Sequence, residues 1–204
     1  PSLEEDSSKV NRLKGLAYAY IDIDLTKAQL YIDSSHLLAK KLAYQEGMIS
    51  AIYIKGIIEF YAGNKEQALT FAKQTLELNR KRGDTIIIIK NLNFLSTIYK
   101  SINQPEEALL YITEALQMAK RINDTESIGT IYHTIGLIHH SLDNQEIAKS
   151  YLLKSLPYFE ELGNSYFIAI VYQGLSVVSV GEESIDYARQ ALEMFEELGN
   201  LQGQ

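Results

Sequence analysis

Four histidines and several acid pairs are the side chains in this sequence with the most obvious capacity for chemistry. His133 and His140 stand seven residues apart, which on a helix puts both on one face with Leu137 between them. Zinc needs further Asp, Glu, His or Cys ligands on that face, and none is spaced to provide one. His139 falls on a different face and is expected in the core. The pairs Glu106-Glu107, Glu160-Glu161, Glu182-Glu183 and Glu196-Glu197 lie at expected helix starts or on exposed faces. There they offset the helix dipole or stay solvated and do not form a general acid/base couple. The chain has no cysteine, which excludes disulfides, thiolate catalysis and Cys-ligated metal. No phosphate-binding loop, dinucleotide fingerprint, nucleophile elbow or zinc-protease motif occurs. The expectation is a protein with no enzymatic activity, cofactor or metal.

Charge narrows the partners. The formal net charge is −7, whereas a nucleic-acid surface needs a lysine and arginine excess, so no nucleic-acid partner is expected. The one basic cluster, Arg80-Lys81-Arg82, sits at an expected helix end, where cations favour the dipole. The longest isoleucine run, Ile86 to Ile89, is far short of the ~20 apolar residues that span a bilayer.

These side chains must be held by helices. Only three prolines interrupt 204 residues, and the sequence repeats itself at a spacing of 40. Alanine stands at 28, 68, 108, 148 and 188. Twelve residues earlier come Leu16, Gly56, Ser96, Gly136 and Ser176; seven later come Ser35, Thr75, Ala115 and Ser155. Two antiparallel helices pack closely only where small side chains let the backbones approach, and this pattern marks such crossings. Large apolar residues fill the rest: Leu92, Leu95 and Tyr99 share a face, and Tyr132, Ile135 and His139 repeat that spacing. Turns between pairs are expected at Gly83-Asp84, Asn123-Asp124, Gly163-Asn164 and Gly199-Asn200. Turns within pairs are expected at Gly63-Asn64, Asn103-Gln104-Pro105 and Asp143-Asn144, with Pro105 in a first helical turn.

The small residue at the eighth position of four of the five units, the alanine at the twentieth and the small residue at the twenty-seventh resemble the tetratricopeptide repeat. That resemblance implies an all-α fold, an α-solenoid of about five helix pairs wound as a right-handed superhelix. The unit here is 40 residues instead of about 34, so each helix is longer. HEAT-type repeats have a similar length but lack this triplet. The expected organisation is an N-terminal extension over 1–8, units over 9–46, 47–84, 85–124, 125–164 and 165–200, and the start of a further repeat at 201–204. The fifth unit ends 36 residues after the fourth, so its inner turn near Gly181 reads as four residues shorter. Lys55 and Glu59 fall where other units carry apolar residues. They either pair with each other or reflect a rotated helix with Ile54, Ile58 and Tyr61 facing the core.

The resemblance also implies a binding face, because the first helix of each pair lines the concave surface in this family. Carried over, its positions fall on Val10, Leu13, Ala17 and Tyr20 in unit one and on Ser50, Tyr53, Ile57 and Phe60 in unit two. Units three and four give Lys90, Asn93, Thr97 and Lys100, then Thr130, His133, Leu137 and His140. Unit five gives Ile170, Gln173, Val177 and Val180. The implied groove is apolar and aromatic at one end and polar in its middle, which suits a peptide with a hydrophobic anchor followed by polar or acidic residues. The competing expectation is that Tyr20, Tyr53 and Phe60 pack against neighbouring helices. The family's clamp for a carboxy-terminal carboxylate is absent, because its positions hold Tyr53 and Ile57, or Asn93 and Thr97.

The N-terminal stretch, with Asp6-Ser7-Ser8-Lys9-Val10-Asn11 and then Leu16-Ala17-Tyr18, resembles the first repeat of tetratricopeptide sensor regions in bacterial histidine kinases and transcription regulators. That implies a non-catalytic, protein- or peptide-binding region of a larger signalling protein, with an extracytoplasmic setting favoured and a homodimer as an option. The alternative is the ligand-binding domain of a cytoplasmic peptide-controlled regulator, a response-regulator phosphatase or transcription factor without its output domain. The chain starts at Pro1 without methionine or signal peptide, which reads as an excised piece.

Overall fold

The computed structural model describes residues 6–202, with side chains described up to Gly199. Ten helices and no strands occur among the described residues, and the chain divides between Ile102 and Asn103 into two compact units. The first unit holds α1 (Ser7–Tyr20), α2 (Leu25–Lys41), α3 (Gln45–Tyr61), α4 (Lys65–Arg82) and α5 (Thr85–Ser101). The second holds α6 (Pro105–Arg121), α7 (Thr125–Ser141), α8 (Gln145–Glu161), α9 (Ser165–Val178) and α10 (Gly181–Gln202).

Local chemistry sets the ends of these helices. Carboxylates of Asp6, Asp24, Asp84 and Asp124 accept the backbone N–H three residues on, at 2.9, 3.0, 3.2 and 3.1 Å. Each satisfies one of the N–H groups that a helix start leaves unpaired. Between helices the backbone turns through the left-handed region at Gly63, Gly83, Asn103, Asn123, Asp143 and Gly163, the turn residues the sequence marks. Ala43 turns the same way at φ 51° despite its Cβ.

The small residues do what their spacing predicts in the regular part of the chain. Ala28, Ala68, Ala108 and Ala148 are wholly buried, as are Ser35, Thr75, Ala115 and Ser155. A Cβ on Gly136 would come within 2.9 Å of Leu152 Cγ and 3.1 Å of the Ala148 carbonyl oxygen, so α7 and α8 touch there backbone to side chain. In the second unit, Ala148, Leu152 and Phe159 of α8 form a core with Val171, Leu175 and Val178 of α9. Burial of each large apolar side chain there contributes about 1.5–3 kcal/mol.

One buried polar chain runs between α4 and α5. Asn79 Nδ2 donates to Asn91 Oδ1 at 2.7 Å, and Asn91 Nδ2 donates to Thr75 Oγ1 at 3.0 Å. Thr75 Oγ1 in turn donates back to the α4 backbone, at 3.0 Å from the Phe71 and Ala72 carbonyl oxygens. Asn91 and Thr75 are fully buried and Asn79 is 2% exposed, so these bonds carry the cost of desolvating the amides.

Several expectations are corrected. Leu16 is 42% exposed while Ala17 is wholly buried, so in the first pair burial falls one residue later than the repeat predicts. In the last pair, Ala188 is exposed; Ser184 takes the close-packing place, its Oγ donating to the Ser176 carbonyl oxygen at 2.7 Å, and Ala191 is buried. The four-residue shortening is therefore the register this pair adopts. Gly199-Asn200 is no turn, because α10 continues through it to Gln202. Of the expected further repeat at 201–204, residues 203–204 lie outside the described residues, as do 1–5 of the expected N-terminal extension. Lys55 and Glu59 do not pair with each other: Lys55 bonds Asp33 on α2 at 2.6 Å, and Glu59 accepts from Asn64 at 2.7 Å. Ile54 and Ile58 face the core as expected, but Tyr61 is 56% exposed.

Candidate functional site

The stripe on α5 is the clearest surface feature of the first unit. From Ile88 to Lys100 every residue is buried except Lys90, Asn93, Thr97 and Lys100. These four recur at i, i+3, i+7 and i+10, the spacing of a single line along a helix. α4 packs along α5 and the Tyr53 and Phe60 rings of α3 rest on its Phe94, and between Ile88 and Lys100 this line is where its side chains reach solvent. Thr97 Oγ1 donates to the Asn93 carbonyl oxygen at 3.1 Å and so faces its own backbone. Asn93 Oδ1 is buried without a hydrogen-bond partner, and Lys100 is largely desolvated, which lowers the pKa of its ammonium. Lys100 makes no ion pair among the described residues. An acceptor from outside would satisfy the Lys100 ammonium; the Asn93 oxygen is shut from solvent and is not itself a contact point.

The neighbouring α3 face is apolar, and its residues pack on α5. Phe94 takes the ring of Tyr53 edge-on at 5.5 Å and the ring of Phe60 edge-on at 6.0 Å. Ile57 is 8% exposed. For Phe60 and Ile57 packing accounts for most of the side chain. Tyr53 has a second role: burial, with Tyr18 nearby, pushes its phenol pKa well up, and its hydroxyl has no hydrogen-bond partner among the described residues. That ring also walls a cavity of about 440 Å³ between α1, α3, the end of α4 and the start of α5.

In unit one of the repeat, Val10 and Ala17 are wholly buried and Leu13 packs against the same core, so these positions do not face a ligand. Tyr20 packs on Tyr31 at 5.5 Å with the Lys27 ammonium over its ring.

In the second unit α7 holds His133, Leu137 and His140, all partly buried. His140 Nδ1 lies 2.9 Å from Gln145 Oε1, and His133 Nε2 lies near Gly174 of α9. No group of three His, Cys, Asp or Glu able to hold a metal occurs among the described residues. Gln173 is exposed on α9, with Val177 at 59% and Val180 at 85% exposure after it. His139 is stacked on Tyr151 at 5.6 Å with the planes 4° apart, its Nδ1 unpaired, and burial lowers its pKa. Sequence reasoning missed the cavity. Repeat position picked out Ser50, Tyr53 and Lys90 of its lining but not Lys14 and Tyr18, spaced i, i+4 on α1, and Arg82 was read only as a helix-end charge.

A family model described as the tetratricopeptide repeat matches residues 89–121 and 129–156. No curated protein matches the chain. Among solved structures, one similar chain is a signal transduction ATPase with numerous domains from Pyrococcus horikoshii that carries a tetratricopeptide repeat sensor. It is 25% identical, with a TM-score of 0.72, over 96% of this chain and 31% of that one. The chain thus spans under a third of that ATPase. Aspartyl phosphate phosphatase F from Bacillus subtilis is 17% identical with a TM-score of 0.74, over 96% of this chain and 56% of that one. A Rap protein complexed with competence and sporulation factor is 18% identical with a TM-score of 0.67, over 94% and 67%. The last two likenesses are of fold. The fold is an all-α solenoid, the tetratricopeptide match lies within residues 89–156, and the chain is similar in structure to the ATPase that carries a tetratricopeptide repeat sensor.

Proposed function

We propose that this chain is a non-catalytic module that binds a protein or peptide along the first helices of its pairs, as the sensor or interaction region of a larger bacterial signalling protein. The observation that carries this reading is the α5 stripe. Between Ile88 and Lys100 helix α5 is buried except at Lys90, Asn93, Thr97 and Lys100, which form one polar line that includes a desolvated ammonium without an ion pair. A desolvated charge without a partner is costly, and an acceptor on a bound chain relieves that cost at Lys100. Tyr53, Ile57 and Phe60 supply apolar surface on the adjacent helix. In the second unit His133, Leu137, His140 and Gln173 are the corresponding residues. The tetratricopeptide sensor of the similar ATPase supports the sensor assignment.

The second reading, the ligand-binding part of a peptide-controlled cytoplasmic regulator, is favoured by the fold likeness to Rap proteins, two of which are solved with a factor or peptide bound. Both readings share the stripe. The test is a pull-down from source-cell lysate with the chain as bait, run beside the Asn93→Ala/Lys100→Ala double variant. One partner captured by the parent and lost by a variant of unchanged melting temperature supports the module. A variant that binds as the parent does removes the stripe from the interface.

A further inference from the structure

We propose that the cavity of the first unit is a separate binding site for a carboxylate carried on a compact apolar body. Its volume of about 440 Å³ falls in the ~300–1,000 Å³ range of small-ligand sites. Ile49 and Ile54, 8% and 2% exposed, make an apolar floor, and the rings of Tyr18 and Tyr53 form walls. The charged groups are Lys14 of α1, Arg82 at the end of α4, Lys90 of α5 and Glu46 of α3, three cations against one anion. None of the four makes an ion pair among the described residues.

That imbalance is the decisive observation. The chain as a whole carries −7, yet this mouth gathers three cations from three different helices against the single carboxylate of Glu46. The helix-end explanation covers Arg82 at the C-terminus of α4 but neither Lys14 within α1 nor Lys90 in α5, which follows the first turn of its helix. Low-dielectric walls strengthen the attraction of such a cluster for an anion, and the isoleucine floor takes the apolar part. The Tyr53 hydroxyl, desolvated and unpartnered, is a hydrogen-bond donor at the same wall. This site shares Lys90 with the stripe and Tyr53 with the apolar α3 face beside it, but does not depend on peptide binding there.

The test uses 3-phenylpropionate and its carboxamide as free probes, and N-acetyl-Gly-Gly-Phe as acid and carboxamide as chain-borne probes. Binding is followed by amide NMR shifts in the full chain. We expect a carboxylate to move the resonances of Tyr18, Tyr53 and Lys90, with the matching carboxamide at least tenfold weaker. The variant Lys14→Gln/Arg82→Gln/Lys90→Gln should erase that preference at unchanged helicity. Preference for free phenylpropionate identifies a free organic acid as the source; preference only among the peptides identifies a chain terminus. Equal binding of acid and carboxamide, no binding by any probe, or shifts elsewhere in the chain would overturn the proposal. The free probe has no peptide bond, so its outcome is independent of the stripe's.

Discussion

Asn79 Nδ2 and Asn91 Oδ1 meet at 2.7 Å between two helices, both side chains shut off from water. Each amide depends on the other for its desolvated atoms. Asn91→Ala should therefore destabilise the first unit by about 2 kcal/mol, most of it from Asn79 and Thr75 atoms left without partners. Urea unfolding checks the loss. A double-mutant cycle with Asn79→Ala should show strong coupling, and simple additivity would mean the bonds are unimportant to stability.

Among the glycines of the second unit, Gly136 leaves the least room for a Cβ. Gly136→Ala puts a methyl 2.9 Å from Leu152 Cγ and 3.1 Å from a carbonyl oxygen. A cost of about 1–3 kcal/mol is expected from overpacking, offset in part by the better helix propensity of alanine. Thermal melting reads it, and an unchanged midpoint would show that Leu152 swings clear.

Ala43 holds φ 51° with a Cβ in place. Ala43→Gly should raise stability by about 0.5–1 kcal/mol, since relief of the left-handed penalty exceeds the added freedom of the unfolded chain. A drop in melting temperature would mean the turn is not strained.

Lys100 sits desolvated on the stripe without an ion-pair partner, and burial lowers its pKa. Lys100→Met should raise the melting temperature slightly while weakening capture of the partner. Calorimetry and the pull-down read the two effects separately. Loss of both stability and binding would assign Lys100 a structural role.

His139 is stacked on Tyr151, and burial holds its folded pKa below the ordinary histidine value; the same direction applies to His36. The unfolded chain takes up these protons first. Stability is then fully present above the ordinary histidine pKa of about 6.5 and falls as pH drops through the depressed folded values. His139→Gln should flatten part of the fall seen between about pH 7 and pH 5. An unchanged pH profile would show that His139 does not contribute.

The fold was legible because its signals are local and repeated. Alanine 68 needs no tertiary context to mark a crossing when 108 and 148 repeat it, and Asp84 or Asp124 marks a helix start within four residues. The stripe was legible in part: repeat position picked out Lys90, Asn93, Thr97 and Lys100, which are the residues of α5 left open between Ile88 and Lys100. Val10 and Ala17 went wrong because burial in the first pair is displaced by one residue, something only packing reveals. The cavity was hidden for a different reason. Its charges come from α1, α4 and α5, and no spacing along the chain connects Lys14 with Arg82.

The bond between Ser184 and Ser176 bears on how such a chain can change length. A register four residues shorter costs the last pair little in phase, because four positions make slightly more than one revolution, about 400°, and bring a new small side chain to nearly the same side. The first pair drifted by one position, about 100° of rotation, and the buried place passed from Leu16 to Ala17. Indels in this architecture are therefore quantised: whole turns leave the hydrophobic seam in step, and a single residue is tolerated only where its neighbour is already small enough to inherit the role.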